Sequence, residues 1–175
     1  MPIYTKKGDT GNSSLFKDKN PVPKSSPVFE CLGSIDELNS YLGTVTAHTQ
    51  NPQTIIRLKE IQRNLFTINA IIAGAKLRFP ASYTVNLEKQ IDLMDKSLPP
   101  LKNFILPGGT HLASSFHYAR TLVRKAERRL VLYNQSFKVK PELIKYLNRL
   151  SDYFFTLARF TNHTLGIAEE LWKES

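Results

Sequence analysis

The stretch Thr110-His-Leu112-Ala-Ser-Ser-Phe116-His-Tyr-Ala119-Arg120-Thr-Leu-Val123-Arg124-Lys-Ala126-Glu-Arg128-Arg-Leu130-Val-Leu-Tyr133 decides the kind of fold this chain adopts. Leu112, Phe116, Ala119, Val123, Ala126 and Leu130 recur at intervals of three and four, the period of a helix with one apolar face. Gly108-Gly109 gives the chain a tight entry into that helix. Beside the apolar stripe stand Arg120, Arg124 and Arg128, spaced i, i+4, i+8 and so on one face. Stacked cations repel, and the acid nearby in sequence is Glu127, three residues after Arg124. Either this face meets phosphates or buried carboxylates, where guanidinium groups make bidentate contacts, or it is a solvated basic face or an ion-pair network.

The same period extends outward in both directions. A first helix is expected to open at Ser34-Ile35-Asp36-Glu37, a capping-box pattern, with Ile35, Leu38, Leu42 and Val45 on one face. A second is expected over Pro52 to Lys76, on Ile55, Ile56, Leu58, Ile61, Leu65, Ile68 and Ile71. A third covers Tyr83 to Leu98, on Val85, Leu87, Ile91 and Leu93, and Pro99-Pro100 ends it. The fourth is the stretch above. The fifth begins at Pro141, a good first helical residue, and runs to about Glu170, with Leu143, Leu147, Leu150, Phe154, Leu157 and Ala158 as its apolar set. Strand signals are confined to Met1–Tyr4 and Ser14–Phe16. The expected fold is all-α: a five-helix bundle, in a ferritin-like up-and-down arrangement, with an N-terminal loop arm. One domain is expected over residues 1–175, divided into an arm at 1–29 and the bundle at 30–175. The arm runs through Lys17-Asp18-Lys19-Asn20 into Pro21–Pro27, which reads as loop. It is either an ordered functional loop or a disordered arm.

The 175 residues can bury a sizeable core, and the formal charge of +9 favours an anionic partner: nucleotide, nucleic acid or membrane surface. The aromatic residues follow the helical core period, which argues against nucleic acid, and no apolar run reaches bilayer-spanning length. No membrane partner is expected. A single cysteine, Cys31, excludes an intrachain disulfide. Without an apolar leader the expected compartment is the cytoplasm, or an organelle if a leader has been removed. His48, His111, His117 and His163 are scattered, with no metal-ligand spacing, so no resident metal site is expected.

The N-terminal segment Thr5-Lys6-Lys7-Gly8-Asp9-Thr10-Gly11-Asn12-Ser13-Ser14 is rich in what phosphates require. Gly8 and Gly11 permit close backbone approach, Lys6 and Lys7 carry charge, and Ser13 and Ser14 carry hydroxyl donors. The spacing is not that of a P-loop. Asp9 either serves a metal or holds the loop, and the whole segment is otherwise a surface turn. On the fifth helix, Asn148 and Asp152 share a side; Asn148 either reads a ribose or phosphate or bonds a neighbouring helix. Asp36 either complements its helix dipole or pairs with an arginine. Phe104, in Phe104-Ile-Leu-Pro-Gly-Gly109, is core by default, or else the wall of an apolar ligand pocket.

Four blocks together resemble the ATP:cob(I)alamin adenosyltransferases, of the type that includes the human mitochondrial enzyme of vitamin B12 metabolism. They are Ile3–Gly11, Gly33–Asn39, Phe104–Gly109 through Arg120–Arg129, and Tyr146–Asp152, in the family's order. The resemblance implies a homotrimer with active sites at subunit interfaces. It implies ATP held by the N-terminal loop from Thr5 to Ser14, by Lys24, by Arg124, Lys125, Glu127 and Arg128, and by Asn148. It also implies an ion pair of Asp36 with Arg120 across or near the interface, and Phe104 against the corrin, excluding the lower axial ligand. Lys125 departs from a frequent second arginine. The implied reaction is attack of cobalt(I) on C5′ of ATP, with Mg²⁺ on the phosphates and triphosphate leaving. Catalytic roles fall to Arg124, Arg120, Asp36 and Phe104. A reductase or a cobalamin-dependent acceptor enzyme is an expected partner. Two other readings stand beside it: an ATP-dependent cobalamin carrier or regulatory module without efficient catalysis, and a basic helical nucleic-acid binder.

Overall fold

The computed structural model describes residues 3–4, 6–16, 18 and 20–172. Five helices account for the bundle: α1 (Pro27–His48), α2 (Pro52–Ile72), α3 (Ser82–Asp95), α4 (His111–Ser136) and α5 (Pro141–Thr164). The all-α five-helix bundle expected from the sequence is therefore the fold. A small antiparallel ladder precedes it, β1 (Asn12–Ser13) against β2 (Val22–Pro23), with Asn12 opposite Pro23 and Ser13 opposite Val22. It lies at neither expected strand. Tyr4 and Ser14–Phe16 are not strand, Met1 and Pro2 lie outside the described residues, and one partner comes from the proline run read as loop.

α4 packs between α1 and α5; α2 covers α1, and α3 covers α5. The buried core is aliphatic, with Leu38, Leu42, Leu58, Leu65, Val123, Leu130, Leu147 and Leu150 fully enclosed. Phe116 of α4 stacks on Phe154 of α5 with ring centroids 6.1 Å apart. Tyr146 is wholly buried, and its hydroxyl accepts from Asn64 Nδ2 at 3.1 Å, so its polar tip is satisfied across α2 and α5. Burial pushes the Tyr146 hydroxyl pKa up.

Helix starts follow from local chemistry. Thr110 caps α4, its hydroxyl accepting from Ala113 N at 3.1 Å, and Asn51 caps α2, accepting from Thr54 N at 3.0 Å. The first helix departs from expectation. It starts at Pro27, where a missing N–H costs nothing, and Val28 and Cys31 extend the apolar face backward from Ile35. Ser34 is thus an interior residue whose hydroxyl donates to Cys31 O at 2.8 Å, and not a cap. The boundary between arm and bundle moves from residue 29 to Ser26. Asp36 lies about two and a half turns inside α1, too far in to complement its dipole. α2 stops at Ile72, ahead of Gly74 with φ 104°, and not at Lys76. α3 ends at Asp95, short of Leu98, and buries only Leu87 of its expected face. α5 stops at Thr164, with Gly166 at φ 69°, and the chain turns back where helix was expected to Glu170.

Candidate functional site

The residues singled out by the sequence fall into two groups. The first is made of two separate parts, the basic face of α4 and the N-terminal loop. Along α4 the cations divide into two rows. Lys125 Nζ meets Glu37 Oε2 at 2.6 Å and Arg129 meets Glu30 Oε2 at 3.4 Å, so this row is neutralised by α1. Arg124 and Arg128 are exposed, and neither makes an ion pair among the described residues. Glu127 does not balance them. It accepts from Asn148 Nδ2 at 2.9 Å, which ties α4 to α5 and fixes Asn148 at the edge of the arginine face. Like charges at i, i+4 cost about 0.2–0.5 kcal/mol per pair, so such a row is a standing demand for anions.

Arg120 sits deeper. Its Nε is buried with no hydrogen-bond partner, and burial, then the neighbouring Arg124 charge, lower its pKa. Asp36 is exposed and makes no ion pair among the described residues; it does not reach Arg120 within the chain.

The N-terminal loop is a built turn. Lys24 Nζ donates to Gly8 O at 2.8 Å, and Lys24 N donates to Gly11 O at 2.9 Å. Lys6 holds φ 58° and Gly11 φ 79°, the left-handed region where glycine is at ease and lysine is not. Lys7, Asp9 and Ser14 are exposed and Ser13 is half-buried in β1. Thr5 lies outside the described residues. Lys6, Lys7 and Lys24 thus present three ammonium groups around a tight backbone turn. No hydrogen bond or ion pair among the described residues joins this loop to the arginine face of the same chain.

The second group lies in the connection from α3 to α4. Phe104 is 80% exposed, which corrects the default expectation of a core residue. The segment that carries it is fixed from behind. Trp172 N donates to Phe104 O and Leu106 N donates to Glu170 O, both at 2.8 Å, with Ile105 bridged to Leu171. Asn162 of α5 donates to Gly108 O at 3.0 Å and accepts from Thr110 N at 3.0 Å. A Cβ at Gly109 would lie 2.3 Å from that side chain, so glycine is required there for close approach as well as for its φ of 96°. Arg159 of α5 donates to Pro99 O at 2.9 Å and to both carboxylate oxygens of Glu169. A cavity of about 200 Å³ lies behind the segment, lined by Ile105–Gly109, His117, Asn162 and Ala168–Glu170. His117 is buried, and its Nδ1 has no partner; burial and the Arg120 charge lower its pKa, against a raising effect of Glu169.

Asn162 and Glu169 were not legible in the sequence. Their partners lie 52 and 10 residues away, and no local pattern marks them. Among the described residues, no three His, Cys, Asp or Glu side chains gather into a metal-holding group.

The comparisons with known proteins extend over nearly the whole chain. The family profile described as cobalamin adenosyltransferase matches residues 3–161. A corrinoid adenosyltransferase of Bacillus subtilis is 38% identical over 100% of this chain and 94% of that protein. The human corrinoid adenosyltransferase MMAB is 38% identical over 99% of this chain and 74% of its own length. The chain spans only half the length of the Citrobacter freundii corrinoid adenosyltransferase PduO, to which it is 41% identical over 93% of itself. Among solved structures, a variant PduO-type ATP:corrinoid adenosyltransferase from Lactobacillus reuteri, complexed with cobalamin and ATP, superposes with a TM-score of 0.93 at 36% identity, covering 99% of this chain and 100% of that one.

Proposed function

Because the chain belongs to the cobalamin adenosyltransferase family, we propose that it transfers the 5′-deoxyadenosyl group of ATP to cob(I)alamin, giving adenosylcobalamin and triphosphate. The observation that carries this reading is the division of charge on α4. Lys125 and Arg129 are neutralised by α1, while among the described residues Arg124 and Arg128 stand unpaired beside a fixed Asn148. That row suits a polyphosphate whose negative charge grows as the C5′–O bond breaks. The cobalt lone pair forms the new bond to carbon, and the electron pair of the broken bond leaves with triphosphate. The protein needs no nucleophile of its own; its tasks are to position two substrates and to steady the leaving polyanion.

In this reading Lys6, Lys7 and Lys24 and the backbone of Gly8–Gly11 hold the phosphates, with Mg²⁺ carried on the nucleotide. Asn148 contacts the nucleotide edge. Phe104 lies against the corrin and keeps ligands off the lower face of cobalt. The working unit is a homotrimer, with the loop of one copy meeting the arginine face of the next. Two facts favour that arrangement: among the described residues no hydrogen bond or ion pair joins loop and arginines within one chain, and Asp36 and Arg120 each lack an ionic partner there.

The test is an anaerobic assay with ATP, Mg²⁺ and chemically reduced cobalamin, following the cobalt(I) absorbance, alongside sedimentation of the purified protein. Loss of the cobalt(I) band with adenosylcobalamin formed is the expected result, at a mass of three chains. Binding of both substrates without conversion would replace this reading by a carrier, and binding of neither would end it.

A further inference from the structure

We propose that Arg159 and Glu169 are positioning residues for Phe104, a reading that rests on the transfer reaction proposed above. Phe104 is 80% exposed, so the packing of its own side chain does not hold it in place. Its position is inherited from its backbone. That backbone is held by a single bridge, Ile105 to Leu171, with two hydrogen bonds to Glu170 and Trp172. A single bridge does not hold a segment by itself, and the residue pairing next to it must be fixed. Something must fix the tail, and the residue next to the bridged stretch is Glu169.

Arg159 Nε donates to Glu169 Oε1 at 2.8 Å, and Arg159 Nη2 to Glu169 Oε2 at 3.2 Å and to Pro99 O at 2.9 Å. One planar guanidinium therefore grips both segments that converge on Phe104: the tail that pairs with it and the irregular stretch that leads into it. This pair is also set apart by burial. Its side chains are 5% and 18% exposed, whereas both partners of every other ion pair among the described residues are 25% exposed or more. Desolvation offsets much of the attraction of a buried pair, so its distinctive contribution is direction and register, not stability. Arg fits this role and Lys does not, because three fixed hydrogen bonds to two separate segments need the planar fork. The cavity behind Ile105–Gly109 leaves the segment room to move if the grip is released.

The test compares the full-length wild type with Glu169→Gln, Phe104→Ala and the double variant in the anaerobic transfer assay. Glu169→Gln is expected to lower kcat about tenfold or more while the KM for ATP stays within about twofold. Amide exchange at Leu106 and Trp172 quickens, and exchange in α1 does not change. The double variant is expected to be no slower than Phe104→Ala alone, because both changes act through one ring. A merely structural role would instead lower kcat in the double variant by the product of the two single effects, and that result would overturn the proposal. So would a wild-type kcat in Glu169→Gln. Arg159→Lys, which leaves no uncompensated carboxylate in the buried site, gives the same comparison should Glu169→Gln not fold. A wild-type protein that binds both substrates and transfers nothing would overturn the transfer reading itself, a result distinct from either outcome above.

Discussion

Gly8 and Lys24 determine each other's place. Lys24 Nζ donates to Gly8 O at 2.8 Å, and a Cβ built on Gly8 would stand 2.9 Å from the same nitrogen. The ammonium group is thus held over a bare backbone, where any side chain would push it off. Gly8→Ala is expected to move Lys24 without disturbing the bundle, since the atom that must shift is the far end of a flexible chain. The expected outcome is a rise of about three- to tenfold in the KM for ATP, with an unfolding midpoint within about 2 °C of wild type. Steady-state kinetics and a thermal melt check it. An unchanged KM would remove Lys24 from the phosphate site.

The two rows of cations on α4 predict opposite sensitivities. Arg124→Ala removes a guanidinium that makes no ion pair among the described residues and is expected to cut kcat/KM for ATP by about 10²–10³. Arg124→Lys keeps the charge, loses the fork, and falls between. Lys125→Ala breaks only an exposed pair with Glu37 and is expected to change turnover by less than about threefold. Equal losses at Arg124 and Lys125 would mean that the division into rows has no functional meaning.

Gly109 is a predicted weak point. Its φ is 96°, and an added Cβ would fall 2.3 Å from Asn162 Nδ2. Gly109→Ala is expected to destabilise the fold by about 2–4 kcal/mol, the sum of backbone strain and a clash with a buried side chain. Urea denaturation followed by far-UV dichroism gives the value. A loss below about 0.5 kcal/mol would mean that Asn162 yields easily and does not fix the turn.

His117 predicts a pH effect with a definite sign. Burial and the Arg120 charge lower its pKa from 6.5, so the folded chain favours the neutral ring and the unfolded chain binds the proton more readily. The stability that this site contributes is present above about pH 6.5 and is lost as pH falls through and below that value. Wild type is expected to lose more unfolding free energy between pH 7.5 and pH 5.5 than His117→Gln does. Denaturant titrations at the two pH values measure the difference. Parallel losses would show that the proton is accommodated without penalty.

What the sequence made legible was whatever repeats with a local period. The apolar stripe of α4 and its arginines needed only the 3.6-residue repeat, and α4 begins and ends within about three residues of expectation. Ser34 misled because a capping box is a pattern of residue types that also occurs inside helices; Pro27 carried the better signal but was absorbed into a proline run. Phe104 misled in another way. Phe-Ile-Leu is the composition of a core, yet the Phe104 ring is exposed while its backbone is gripped by Glu170–Trp172. Asn162 and Arg159 act on residues 54 and 60 positions away, a distance at which a single sequence carries no trace. Thr5, expected in the phosphate loop, lies outside the described residues.

The anchoring of the Phe104 segment by Arg159, Asn162 and Glu170–Trp172 has a consequence for how the protein matures during synthesis. A chain emerging from the ribosome completes α1 and α4, and with them the arginine face, well before α5 and the returning tail exist. Thr110 waits for Asn162, which follows it by 52 residues. A nascent chain therefore carries the arginine row before it can fix the Phe104 segment. Ribosome-stalled intermediates arrested within α5 would expose that row while the Phe104 segment still lacked its anchors.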